Sequence, residues 1–168
     1  MSTHSALLHH SPLRIVLTFA VTILVGISFW LHPGSRVLQE PLELFLAWTT
    51  GAFLRLLNSG VSIQGASVSI DGFSANVVPA CTGLFTMTIY AAAVLAYPCA
   101  WKRKLQGVLL GISAIVALNW VRIISLLLIG AYWPQVFDFA HLVVWQSVAL
   151  VFAVFMWLYW MQRYAHAR

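Results

Sequence analysis

The sequence predicts an all-α integral membrane protein: four transmembrane helices, N-terminus and C-terminus on the cytoplasmic side, and an extracytoplasmic cap made of an amphipathic helix and a small β-hairpin. Three observations predict it. Of the 168 residues 61% are hydrophobic and only 8% charged, with a mean hydropathy of +0.89, whereas soluble domains carry roughly 25% charged residues. Apolar runs of about 20 residues, the length that crosses a bilayer, recur along the chain. With the N-terminus inside, Arg14, Lys102, Arg103, Lys104, Arg163 and Arg168 all fall on the cytoplasmic side, and Glu40, Glu43, Asp71 and Asp138 all fall outside. The net charge of +5 is thereby explained by helix orientation, and nucleic acid is not expected as a partner.

Residues 1–168 read as a single membrane domain. The first span is 13–31, "LRIVLTFAVTILVGISFWL", closed by "HPG". Its apolar core is too long for a signal peptide and no small-residue cleavage site follows, so it is expected to stay. The second span is 82–101, ended by Lys102, Arg103 and Lys104; the third is 105–133 and the fourth 141–161. The cap is expected over about residues 37–80.

Within the cap, "PLELFLAWTTGAFLRLLNSG" (41–60) is apolar enough to compete as a fifth span. At about 100° per residue, Glu43, Ala47, Gly51, Arg55 and Asn58 share one face, while Leu42, Phe45, Leu46, Thr49, Phe53 and Leu56 share the other. That two-sided pattern predicts a helix lying on the outer membrane surface. The next stretch, "VSIQGASVSIDGFSANVV", alternates around Gly65 and turns at Asp71-Gly72, which predicts a small β-hairpin or meander.

Cys81, in "VVPACTGLF", leaves this cap and opens the second span. A lone cysteine is ordinarily a small buried hydrophobe, so position must decide its role. Counting about 1.5 Å per residue from the cytoplasmic charges, Cys81 lies about 31 Å up, Arg122 about 27 Å and His141 about 33 Å. Three helices thus bring three reactive side chains to one depth, with Asn119 one turn below Arg122 on the same helix face.

Each has chemistry available there. A free thiol of pKa about 8.5 is only ~3% thiolate at pH 7, but a helix N-terminus and nearby cations favour the anion. His141 can accept the thiol proton and return it to a leaving amine. Arg122 stays protonated and can stabilise a thiolate or an oxyanion, with Asn119 positioning it. The N–H groups of Thr82 and Gly83 are further oxyanion donors. An arginine inside a span costs roughly 2.5 to 3.5 kcal/mol to insert, which is why its default reading is functional.

Other residues carry less. Cys99 is about 27 Å from Cys81 along one helix, too far for a disulfide. His4, His9 and His10 match no metal-ligand spacing. Trp30, Trp48, Trp101, Trp133, Trp145 and Trp160 read mostly as membrane-interface markers. No cofactor or metal is expected.

"PACTGLF" before a span, "LNWVRI" inside the next and "FAHLVVW" at the start of the last together resemble the exosortase and archaeosortase family of membrane cysteine transpeptidases. The resemblance covers roughly residues 61–160 and looks like a compact subfamily such as exosortase H. It implies Cys81 as nucleophile with Arg122 and His141 completing the site; Thr82 stands where many members have serine. It also implies the partner: an exported protein with a C-terminal sorting tail of short motif, transmembrane helix and basic cluster, cleaved at the outer face of the cell membrane through a thioester and transferred to an acceptor. Two other readings stay open on the residues themselves. One is a non-enzymatic scaffold or small transporter that binds an anion or a partner helix through Arg122 and Asn119; the other is an acyltransferase that uses the thiol on lipid-linked substrates.

Overall fold

The computed structural model describes residues 12–57 and 60–165, so His4, His9, His10, Asn58 and Arg168 lie outside the described residues. Helix α1 (Pro12–Leu31) buries none of its residues. It leans on the bundle through Gly26, where an added Cβ would stand 2.4 Å from Thr88 Cγ2, and through Trp30 Nε1, which donates to Thr88 Oγ1 at 2.9 Å. A short 3-10 turn (Pro33–Ser35) follows, capped by His32 Nδ1 accepting from the Gly34 N–H.

Helix α2 (Arg36–Arg55) is the amphipathic element, five residues earlier than 41–60. Gln39, Glu43, Leu46, Ala47, Thr50, Gly51 and Leu54 form its buried stripe. The polar-and-small face thus turns inward: Glu43 Oε1 accepts from Arg36 Nη1 at 2.8 Å, and Gly51 admits Ile63 at a distance no Cβ could tolerate. Phe45, Trp48 and Leu56 are exposed. Leu46 departs from the expected apolar face and is buried, because it sits at the edge of the stripe, between Glu43 and Thr50.

The hairpin is a three-stranded antiparallel meander, β1 (Val61–Gln64), β2 (Ser67–Ile70) and β3 (Phe73–Asn76), in the order β1-β2-β3. Asp71 and Gly72 both take positive φ, +48° and +87°, as the two central residues of a type I′ turn must. One face of the meander packs on α2 and the bundle in a cluster of Leu46, Leu54, Val61, Val68, Ile70, Val77, Ile123 and Leu127.

A 3-10 turn (Pro79–Cys81) and Gly83 lead into helix α3 (Leu84–Ala96). At 13 residues, about 20 Å, α3 is shorter than the expected span over 82–101. Its C-terminus is set by Pro98, which holds Tyr97 in extended backbone (φ −69°, ψ 131°). Helix α4 (Trp101–Tyr132) has 32 residues and helix α5 (Pro134–Ala165) is of equal length. Lys102, Arg103 and Lys104 therefore open α4; they do not close the helix before it. Among the described residues three helices, α1, α4 and α5, are long and apolar enough to cross a membrane, and α3 is a shorter apolar helix.

A second cluster, of Met87, Tyr90, Val94, Ile115, Met156 and Trp160, holds α3, α4 and α5 together at the other end. Gly107 and Gly111, four apart on α4, make room for Trp160 and Tyr90. Tyr90 Oη donates to Gly107 O at 2.9 Å and Trp160 Nε1 to Arg103 O at 3.0 Å. Trp160 is thus a fully buried core residue rather than an interface marker.

Candidate active site

Cys81 closes the 3-10 turn between cap and bundle. Pro79 begins that turn with its φ already set, and the Cys81 N–H donates to Val78 O at 2.7 Å. Gly83, at φ +80°, then swings the chain from the turn into α3. That left-handed conformation suits glycine, and a Cβ there would also press on Asn119 Cγ at 3.4 Å.

Asn119 fastens this corner to α4: its Nδ2 donates to the Cys81 carbonyl at 2.6 Å. Asn119 and Arg122 are both buried. Arg122 Nε lies buried with no hydrogen-bond partner, and its guanidinium forms no ion pair among the described residues. An unpaired buried cation is costly unless something anionic or strongly polar arrives to face it.

Cys81, Arg122 and His141 line one cleft of about 350 Å³, walled by residues 73–78 of the cap, by Ile123, Leu126 and Leu127 of α4 and by Phe137 of α5. The cleft is largely apolar apart from these groups, a setting in which a fixed charge acts more strongly than in water. His141 lies in a π-helical segment of α5 (Ala140–Val144), a local widening that recurs at functional sites. Its ring lies 5.7 Å from that of Phe137, tilted by 32°, and Phe137 in turn meets Phe73 of β3 at 5.3 Å. Phe137 therefore backs the imidazole from within α5 and is itself packed against the cap.

Thr82 is placed differently from its expected role. Its N–H donates to Pro79 O at 3.2 Å and its Oγ1 donates to the same carbonyl at 2.7 Å, with the residue 1% exposed. Both donors are occupied in tying the turn, so neither faces the cleft as an oxyanion donor. Gly83 has no such engagement: no acceptor for its N–H is found among the described residues.

Sequence reasoning pointed to the cap as a grip for the motif but did not name the residues that line the cleft, 73–78 and Phe137. The alternation of Phe73, Ala75 and Val77 was a readable strand signal. The π-segment and the Asn119 bond to a backbone carbonyl have no sequence signature. Cys99, the other free thiol, packs with the second cluster, away from this cleft.

Over residues 5–161 the sequence matches the family model of the transmembrane exosortase (Exosortase_EpsH). No curated protein and no solved structure matches it.

Proposed function

The chain belongs to the transmembrane exosortase family, multi-pass membrane proteins that act in general as sorting transpeptidases on exported proteins, and from that premise we propose that Cys81 is the nucleophile that cleaves a C-terminal sorting tail. The observation that carries the reading is the shared cleft of Cys81, Arg122 and His141, with Arg122 Nε buried and unpartnered.

The steps follow from the side chains. His141 takes the Cys81 proton, and the thiolate attacks the carbonyl carbon of the peptide bond at the end of the motif. The oxyanion that forms is met by the Arg122 guanidinium, with the Gly83 N–H as a second donor. His141 returns the proton to the leaving nitrogen, the C–N bond breaks, and the tail helix departs with a new amino terminus. The remaining thioester on Sγ is attacked by an acceptor amine or by water; His141 removes the acceptor's proton and the thiol is regenerated. Asn119 touches neither substrate nor reacting atoms in this scheme. It holds the Cys81 carbonyl and so keeps the corner in register, a positioning role.

In this reading the cleft opens at the extracytoplasmic face of the cell membrane. The distribution of cations supports it: Arg14 and Lys104 border one depression near Leu95 and Ala96, and Arg103 reaches Ala165, all at the opposite ends of α3 and α4 from Cys81. The exposed apolar residues Phe45 and Trp48 of α2, with Leu56 just past its end, fit a helix resting on lipid.

The test is to co-express the protein with an exported reporter whose tail carries a motif, a span and a basic cluster from the same genome, and to analyse Cys81 by mass spectrometry. A thioester to the reporter's motif is the expected product. A fatty acyl group on Cys81 would instead make the protein a lipid-dependent acyltransferase, and normal processing by Cys81→Ala would overturn the nucleophile.

A further inference from the structure

Six consecutive residues of the cap, 73–78, border the cleft and run straight into the turn that carries Cys81. They comprise β3 and its continuation. In the order β1-β2-β3, β3 is an edge strand with one side unpaired. The phase of its hydrogen bonding follows from the register. The two-residue turn pairs Ile70 with Phe73, Val68 pairs with Ala75, and the Val77 N–H donates to Ala66 O at 2.9 Å. Phe73, Ala75 and Val77 therefore direct their backbone groups at β2, and by the alternation of an antiparallel ladder Ser74 and Asn76 direct theirs at the open edge. The side chains of Ser74 and Asn76 do not cover that edge, since they are engaged across the sheet with Ser69 and Ser67. The Phe-Ser-Ala-Asn of β3 contains no proline and no charge, the devices that ordinarily block an exposed edge.

The strand also has a direction. Phe73 packs at Gly130 and the neighbouring turn is held by Tyr132 Oη donating to Asp71 Oδ2 at 2.9 Å, whereas the Cys81 carbonyl meets Asn119. From Gly130 to Asn119 is about 16 Å along α4. β3 thus descends the axis of α4 toward the thiol.

We propose that the sorting tail is held by strand addition: the residues before its scissile bond lie extended along β3, pair with the N–H and C=O groups of Ser74 and Asn76, and deliver the carbonyl to Cys81. The inference rests on the sorting-tail reading and adds how the tail is bound. A tail whose chain passes from an exported domain into a transmembrane helix runs in the same sense as β3, so the added strand is parallel. An extended segment is also what attack requires, because a helical carbonyl is already hydrogen-bonded and shielded. Main-chain pairing supplies affinity, and every second side chain of the tail enters the apolar cleft beside Leu126, Leu127 and Phe137.

Two measurements on the full chain in membranes test this. In the first, Ser74→Cys is combined with Cys81→Ala and Cys99→Ala, and single cysteines are walked through the residues preceding the span of the exported reporter before mild oxidation. A disulfide that peaks at one reporter position and falls away on both sides is expected, because only the residue beside Ser74 in the added strand comes within disulfide reach; even cross-linking along the segment, or none, overturns strand addition. In the second, Ser74→Pro is compared with Ser74→Ala, and Asn76→Pro with Asn76→Ala, with Cys81 intact. Each proline variant should process the reporter about tenfold more slowly than its alanine counterpart, the cost of one main-chain hydrogen bond left unmade; equal rates overturn the proposal. Loss of the cross-linking pattern with Cys81-dependent processing retained defeats strand addition alone. Processing that ignores Cys81 defeats the catalytic reading, and the cross-links still report on the edge.

Discussion

The two free cysteines lie at opposite ends of α3, each near basic residues on α4, and they differ in what those basic residues already do. Beside Cys99, Arg103 Nη1 donates to Ala165 O at 3.0 Å and Lys104 Nζ donates to Leu95 O. Those cations hold the ends of α3 and α5, and Trp160 of the second cluster donates to the Arg103 carbonyl beside them. Beside Cys81, Arg122 is more deeply buried and yet its side chain holds no partner among the described residues, while a cleft stands open in front of it. One end of the bundle uses its charge for assembly; the other keeps it in reserve, which is the arrangement a site of chemistry needs.

The largest expected effect breaks this comparison outright if it fails. Cys81→Ala should reduce tail removal by roughly 10³-fold or more, as loss of a nucleophile does. Cys99→Ala should leave the rate within about twofold, the behaviour of a packed thiol with no part in the reaction. Gel-shift processing of the reporter at matched membrane levels measures both, and equal sensitivity of the two thiols would remove the distinction between the ends.

Much of this contrast was legible in the sequence because hydropathy and helical rise carry long-range information in a membrane protein. The depth of Cys81, Arg122 and His141 follows from counting residues between charges, and the structure brings all three to one cleft. The inward face of α2 was not legible. Periodicity separates its two faces, but lipid and protein core are both apolar, so the pattern alone does not say that Glu43, Ala47 and Gly51 turn toward the protein. Helix ends were hidden for a different reason. Lys102, Arg103 and Lys104 read as a stop, yet Pro98 had already ended α3 and those cations sit in the first turn of α4, where the dipole disfavours them; carbonyls of other segments compensate two of them. Thr82 was misjudged because a side chain's fit to a function is visible in sequence and its prior engagement by Pro79 is not.

Arg122→Gln sharpens the comparison next. Activity should fall by about 10² to 10³-fold, the cost of losing a fixed oxyanion donor. Thermal stability in detergent should stay level or rise, because the variant removes a buried charge that has no partner. Arg122→Lys keeps the charge without the planar fork and should recover only part of the rate. A stability loss that matched the activity loss would mean that Arg122 serves assembly, as Arg103 does.

Gly111→Ala probes the other end. Its Cβ would stand 2.0 Å from the Tyr90 ring, so α3 and α4 must separate, at about 1 to 3 kcal/mol. A lowered unfolding temperature is expected, with the reaction rate per folded molecule little changed, since neither Gly111 nor Tyr90 lines the cleft.

The smallest effects form a matched pair. Asn119 Nδ2 on Cys81 O at 2.6 Å and Trp160 Nε1 on Arg103 O at 3.0 Å are the same kind of bond, a buried side-chain donor from one helix to a backbone carbonyl of another segment. Asn119→Ala and Trp160→Phe each remove the donor, so about 0.5 to 1.5 kcal/mol of stability should be lost in either case. Their effects on rate should diverge. Without Asn119 the corner at Gly83 is no longer held against α4, the thiol loses its register with Arg122, and turnover should fall while the amount of tail needed for half-maximal rate changes little. Asn119→Gln offers the same amide one methylene further out and should restore the rate only in part. Without the Trp160 bond, turnover per folded molecule should stand. Equal rate losses in Asn119→Ala and Trp160→Phe would mean that the carbonyl bond at Cys81 is structural support like its counterpart, and that Asn119 does not position the nucleophile.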